Sequence, residues 1–294
     1  MPITLNLKTQ TGMKTFDYRR CALVLKRDIL GNGKKYLRGL GGVFLACFIV
    51  EALFFYAPSR FGVSDDFEGE QEMLHLLSRV AGCSVMMLSL FILVGAGQLF
   101  DLLKTKEGRI AFLTLPATRA EKYVARWVVS VVLWPAAFLV AFVAADLLRM
   151  LVFPLLGHAF PSAIPRFFSK LAEIGSELSD IVPWLAPSFE QMAERWLVLL
   201  LCLSWHAVYL LGSSFFRKQA FLLTSLTGIL LLTLAGFVLA AVPPAHLPLV
   251  SVSSSVAAFC VADVILFCFV VFCYWLSFRL FSRVQVIGNK WFNV

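Results

Sequence analysis

Long apolar runs near Gly41–Ala57, Val80–Phe100, Trp127–Asp146, Trp196–Phe215, Ala220–Val242 and Val252–Phe278 leave this chain few ways to fold. A hydrocarbon layer about 30 Å thick takes roughly 20 apolar residues per helical crossing. The runs do not alternate apolar with polar residues at period two, which excludes barrel strands. They predict an all-α, polytopic integral membrane protein with six transmembrane helices. Tilt absorbs the short first run and the long last one.

The links between the runs divide by charge. Before the first run come Lys8, Lys14, Arg19, Arg20, Lys26, Arg27, Lys34, Lys35 and Arg38, against Asp17 and Asp28. Lys104, Lys106, Arg109, Arg119, Lys122 and Arg126 follow the second run, Arg217 and Lys218 the fourth, and Arg279, Arg283 and Lys290 the sixth. The alternate link after the first run carries Asp65, Asp66, Glu68, Glu70 and Glu72. Basic residues favour the cytoplasmic side, so both termini are expected there, in a multi-pass protein of the bacterial cytoplasmic (inner) membrane.

With 60% hydrophobic and 14% aromatic residues in 294, the chain is spent on its helices and reads as a single transmembrane domain over 1–294. No link is long enough for a separate catalytic domain. The net charge of +8 is spread over span ends, which fits topology control and contact with anionic lipid headgroups, not nucleic acid. The basic first 38 residues lack the core of a signal peptide, so the first span is expected to act as an uncleaved insertion signal. The seven cysteines show neither metal-ligand nor C-x-x-C spacing and read as packing residues.

Residues 14–38 predict an interfacial helix with Tyr18, Ala22, Leu25 and Ile29 on one face, turning into the membrane at Gly31–Gly33. Gly95, Ala96 and Gly97 suit close helix approach. The cytoplasmic loop 101–126 predicts a short amphipathic helix or hairpin over Asp101–Leu115, broken at Pro116. Thr118 and Glu121 then stand at capping-box spacing and start a helix that runs into the third span. The outer segment 149–195 is broken by prolines, with room for one helix over Ser169–Ile181. Its Phe153, Phe160, Phe167, Phe168, Trp184 and Phe189 suit the outer leaflet, the roof of a cavity or a cover for helix ends.

Ionisable residues inside spans are costly and are the default candidates for function. Glu51, Asp146 and Asp263 form a candidate intramembrane polar set with Arg149. Arg149 lies one turn after Asp146 and is expected to pair with it. Glu51 is expected to reach water near the outer end, and Asp263 is the deepest. His206 reads as a hydrogen-bonded core residue. The chain has no H-E-x-x-H or G-x-S-x-G, and Gly31–Lys35 lacks the remaining residues of a phosphate loop. No catalytic, metal or cofactor residue is predicted, and the chain is not read as an enzyme.

Thr114–Trp127, reading TLPATRAEKYVARW, resembles the segment that follows the coupling helix in permease subunits of bacterial type-2 ABC exporters. The Leu-Pro, hydroxyl, Arg and Glu of that pattern fall on Leu115, Pro116, Thr118, Arg119 and Glu121. Glu121, Lys122 and Tyr123 look like a poorly characterised branch of the group. The long outer segment follows the third span here, whereas in the family it usually joins the last two. The resemblance implies a membrane-spanning subunit of an ATP-driven exporter, with a coupling helix docked on a separate ATP-binding subunit. It also implies a homodimer or a heterodimer with another permease. Arg109, Phe112, Leu115, Pro116, Thr118, Arg119 and Glu121 are the coupling residues on this reading, and Phe112→Asp is expected to release the partner while sparing the fold. The alternative is a non-transporting membrane scaffold or stress-response subunit that docks a cytoplasmic partner on the same loop.

Overall fold

The computed structural model describes residues 16–60, 67–156, 160–173, 190–216, 219–241 and 256–283. Residues 1–15, the acidic positions Asp65 and Asp66, the Ser169–Ile181 expectation beyond Glu173, the link at 242–255 and the tail from 284 lie outside them. The described residues are helical, apart from short connections.

Helix α1 (Tyr18–Gly31) begins at Asp17, whose side chain accepts from the Arg19 backbone N–H. It ends at Asn32, and α2 (Gly33–Arg60) sets off at once as the first long apolar helix. The turn expected at Gly31–Gly33 thus falls at Asn32. Asn32 makes the break by donating to the Asp28 carbonyl at 3.1 Å and to its carboxylate at 2.6 Å. Val24 and Asp28 are the residues of α1 buried against the rest of the chain, while Tyr18, on the face expected at the interface, is 82% exposed.

Helix α3 (Phe67–Gly97) returns to a short 3-10 turn, Asp101–Lys104, and then α4 (Lys106–Leu113). Helix α5 (Arg119–Val128), one π-helical turn (Val129–Leu133) and α6 (Trp134–Leu155) form one continuous helical rod. Pro135 accounts for the π turn: it has no N–H and its ring clashes with the preceding turn, so the ladder widens there. The Trp134 N–H bonds the Val129 carbonyl, five residues back. A short helix α7 (Ile164–Glu173) folds back and takes in the first part of the expected Ser169–Ile181, the rest of which lies outside the described residues. Three long helices follow: α8 (Glu190–Phe215), α9 (Ala220–Ala241) and α10 (Val256–Arg283).

Among the described residues, five helices are long and apolar enough to cross a membrane: Gly33–Tyr56, Met73–Lys104, Arg119–Leu155, Trp196–Phe215 and Cys260–Arg283. The remaining expected span, the fifth in chain order, falls on α9, where the apolar stretch over described residues is the shorter Ala220–Leu234.

Among the described residues, two larger cores divide the bundle, with a small third cluster of Ala207, Val270 and Cys273 between α8 and α10. Phe55, Val80, Phe138, Phe142, Phe153 and Phe167 join α2, α3, α6 and α7 at one end. Phe100, Phe112, Tyr123, Tyr209 and Phe281 join α3, α4, α5, α8 and α10 at the other, which also carries α1 and the basic residues and is termed the basic end. Thus Phe153 and Phe167 cover helix ends, whereas Phe168 stays exposed. The small residues of α3 serve close approach as expected: a Cβ on Gly95 would lie 2.8 Å from Trp134 Cγ. In-span hydroxyls turn inward on their own helix, as when Ser84 donates to Val80 O and Thr224 to Ala220 O. That satisfies them without water.

Candidate functional site

At the basic end, one helix start gathers the chain. The Thr118 side chain accepts from the Glu121 N–H at 3.2 Å, and the Glu121 carboxylate accepts from the Thr118 N–H at 2.8 Å, so the expected capping box is present. The carboxylate does more than cap. It also accepts from the Asp17 N–H at 2.8 Å and from Arg20 Nη2 at 3.0 Å, which ties the start of α1 to the start of α5. Glu121 is fully buried by these partners. Close by, the Cys21 thiol donates to the Glu121 carbonyl. Burial raises the Cys21 pKa above its ordinary value, and the Glu121 charge raises it further.

Two turns along α5, Arg126 joins three elements. Its guanidinium meets Asp28 of α1 at 2.8 Å, donates to Leu99 O beyond α3 and lies 5.4 Å over the Phe112 ring of α4. Asp28 accepts in turn from the Tyr36 hydroxyl at 3.0 Å. Lys122 donates to Leu113 O, and Lys35 pairs with Asp101 at 2.7 Å. Arg119, on the exposed side, donates to the Ser282 carbonyl of α10. Helices α1, α4, α5 and α10 are thus fastened to one another by charge-assisted bonds, which are about twice as strong as neutral ones.

This geometry corrects the role expected of Phe112. It is 4% exposed, packed edge to face on Phe281 and covered by two cations. Arg109 is buried as well. Phe112→Asp would therefore remove the ring packed on Phe281 and bury a carboxylate in its place, so it attacks the fold and not an interface alone. The open face of α4 is instead Lys106, Glu107, Ile110 and Ala111, with Thr114 and Pro116 beyond it and Leu115 half-buried.

At the opposite end lies the second cluster, and it contains three of the four expected intramembrane residues. Arg149 and Asp146 pair at 2.6 Å on α6, as their spacing predicts. Glu51 of α2 joins them, with an oxygen 3.4 Å from Arg149 Nε. All three are fully buried. Glu51 does not reach water, because Phe55 lies one turn beyond it and stacks on the Arg149 guanidinium at 4.3 Å. Arg149 also donates to the Pro161 carbonyl at 2.8 Å. Asp146 accepts from the Ser162 hydroxyl at 2.5 Å and the Ala163 N–H at 3.3 Å, so it holds the start of α7. Asp263 stands apart on α10, half-buried, with one oxygen lacking a hydrogen-bond partner among the described residues.

A third polar group is only partly legible in the sequence. His206 of α8 is a hydrogen-bonded core residue, as expected, and its partners span the bundle. Its Nε2 meets Ser130 Oγ in the π turn at 2.8 Å, and its Nδ1 meets the Tyr274 hydroxyl of α10 at 2.8 Å. His206→Leu should leave two hydroxyls without this partner and cost about 1–3 kcal/mol, read as a lower unfolding midpoint in detergent. An unchanged midpoint would mean that water replaces the imidazole. Among the described residues, no three His, Cys, Asp or Glu side chains come together to hold a metal ion.

Comparisons with protein families, with curated proteins and with solved structures give no match to this chain.

Proposed function

We propose that this chain is the membrane-spanning subunit of an ATP-driven exporter in a bacterial cytoplasmic membrane, with both termini cytoplasmic. A separate ATP-binding subunit docks at the basic end, and a second permease, identical or related, completes the pathway. The observation that carries the reading is the double engagement of Glu121. A push on α4 reaches the long α5–α6 rod through Lys122 on the Leu113 carbonyl and Arg126 over Phe112, and Glu121 ties the start of that rod to α1 through Asp17 and Arg20. That rod runs from the basic end to the buried Asp146–Arg149 pair. The chain itself supplies no phosphate loop, so the motor belongs to the partner.

The docking surface moves to the exposed face of α4, where Ile110 is 42% exposed between Lys106 and Thr114. A mild-detergent pull-down of the tagged protein should bring down an ATP-binding subunit in near-equal amount. Ile110→Asp should reduce that recovery about tenfold or more while leaving the unfolding midpoint of the permease unchanged, since a central apolar contact carries much of an interface's energy. Recovery of no ATP-binding subunit, with nucleotide trapped, would favour the non-transporting scaffold.

A further inference from the structure

The break at Asn32 splays α1 away from α2 and opens an apolar groove of about 290 Å³ on the side of the basic end. Ile29, Gly33, Leu37, Leu40, Phe91 and Trp134 are among its walls. The Trp134 ring is held edge to face on Phe91 at 4.7 Å and pressed against Gly95, where any Cβ would collide with it. The groove is therefore preformed rather than an accident of loose side chains. Leu37, 69% exposed, stands at its rim.

The charge around the groove is one-sided. Arg19, Lys26, Arg27, Lys34 and Arg38 are exposed on α1 and the first turns of α2. None of the five forms an ion pair among the described residues. The nearby carboxylates are engaged elsewhere: Asp28 with Arg126, Asp101 with Lys35 and Lys104, and Glu121 with Arg20. Lys26 precedes Ile29 by one turn, Lys34 adjoins Gly33, and Arg38 adjoins Leu37.

We propose that this groove binds an anionic phospholipid, one acyl chain lying along the apolar walls and the phosphate held among Lys26, Lys34 and Arg38. Its volume is at the small end of ligand sites, which suits a single chain and not a whole folded ligand. A soluble anion would leave the apolar walls unfilled, and a neutral lipid would leave the surplus cations unmatched. Basic residues at a membrane surface attract anionic headgroups, and a helix lying in that plane brings them to headgroup depth. The site does not depend on the exporter reading, and no ATP-binding subunit enters its test.

Gly33 supplies the decisive variant. Nothing lies within 4 Å of a Cβ built there, so a side chain added at this groove wall starts out in open space. The full-length protein would be reconstituted in vesicles of equal parts phosphatidylglycerol and phosphatidylcholine, re-extracted in mild detergent, and its retained lipids counted by native mass spectrometry. The wild type should keep one phosphatidylglycerol in preference to phosphatidylcholine. Gly33→Phe should lower that retention about tenfold at an unchanged unfolding midpoint. Gly41→Phe, equally open but outside the groove walls, should retain lipid as the wild type does. The combined Lys26→Gln, Lys34→Gln and Arg38→Gln variant should keep a lipid but lose the preference. If Gly33→Phe does not fold, Ala137→Leu narrows the groove from its other wall and gives the same readout. Equal retention of the two lipids by the wild type, no retained lipid, or full retention by the groove-filling variant would each overturn the proposal.

Discussion

Arg149→Met should abolish stable folding of this protein. The substitution keeps much of the side chain's length and apolar bulk but removes the cation that faces Glu51 and Asp146. It also withdraws the donor from the Pro161 carbonyl and the stacked charge from Phe55. Removing one partner of a buried ion pair costs about 3–5 kcal/mol, because the charges left behind have neither water nor a counterion. A loss of that size is a large part of the total stability of an ordinary domain. The expected result is little monodisperse protein after extraction, and a collapse of the unfolding midpoint in whatever is recovered. The cause is charge and not shape, so removing the stranded carboxylates should reverse it. Arg149→Met combined with Glu51→Leu and Asp146→Asn should recover most of the stability, since the amide oxygen introduced on α6 can still accept from Ser162. A triple variant as unstable as the single one would show that the guanidinium acts through packing.

Glu121→Ala should release α1 from the rest of the basic end. The carboxylate accepts from the Thr118 and Asp17 N–H groups and from Arg20, and no neighbour can replace it at both helix starts at once. Charge-assisted hydrogen bonds contribute about 1.5–3 kcal/mol each, so the junction loses most of its fastening. Cys21 reports the event. Its thiol pKa is raised by burial and by the Glu121 charge, so little thiolate is present near neutral pH. Both causes vanish together in the variant. The sign is therefore fixed: the pKa falls, the thiolate fraction rises, and maleimide labelling of the Cys21 peptide should accelerate about tenfold for each pKa unit recovered. Labelling at the wild-type rate would mean that Asp28 and Arg126 suffice to hold α1 in place.

The features legible in the sequence share one property, which is short range along the chain. The Thr118–Glu121 capping box and the Asp146–Arg149 pair are three residues apart, and helix geometry alone brings such residues together. The features that escape it are contacts across the bundle. Nothing local to Glu51 indicates that Arg149 will reach it from α6, so a carboxylate near a span end reads as hydrated. Phe112 misleads for a related reason. A short amphipathic helix in a loop offers an apolar face, and its sequence does not say whether that face meets a partner or the chain's own α5 and α10. Of the His206 set, the histidine's hydrogen-bonded burial is legible, but Ser130 and Tyr274 are not. Pro135 is the signal for the π turn that presents Ser130.

That π turn has a consequence for how the third crossing stores information. A turn widened by one residue rotates everything beyond it by about 100° relative to an unbroken α-helix. Before the turn, Tyr123 and Arg126 face α1, α4 and α10, and after it Phe138, Asp146 and Arg149 face α2 and α7. The rod thus behaves like two pages bound at an angle, each legible only to its own set of readers. Deleting one residue between Val129 and Leu133 would leave nearly every side chain in the sequence and turn one page toward the hydrocarbon. In this stretch the count of residues carries as much meaning as their identity.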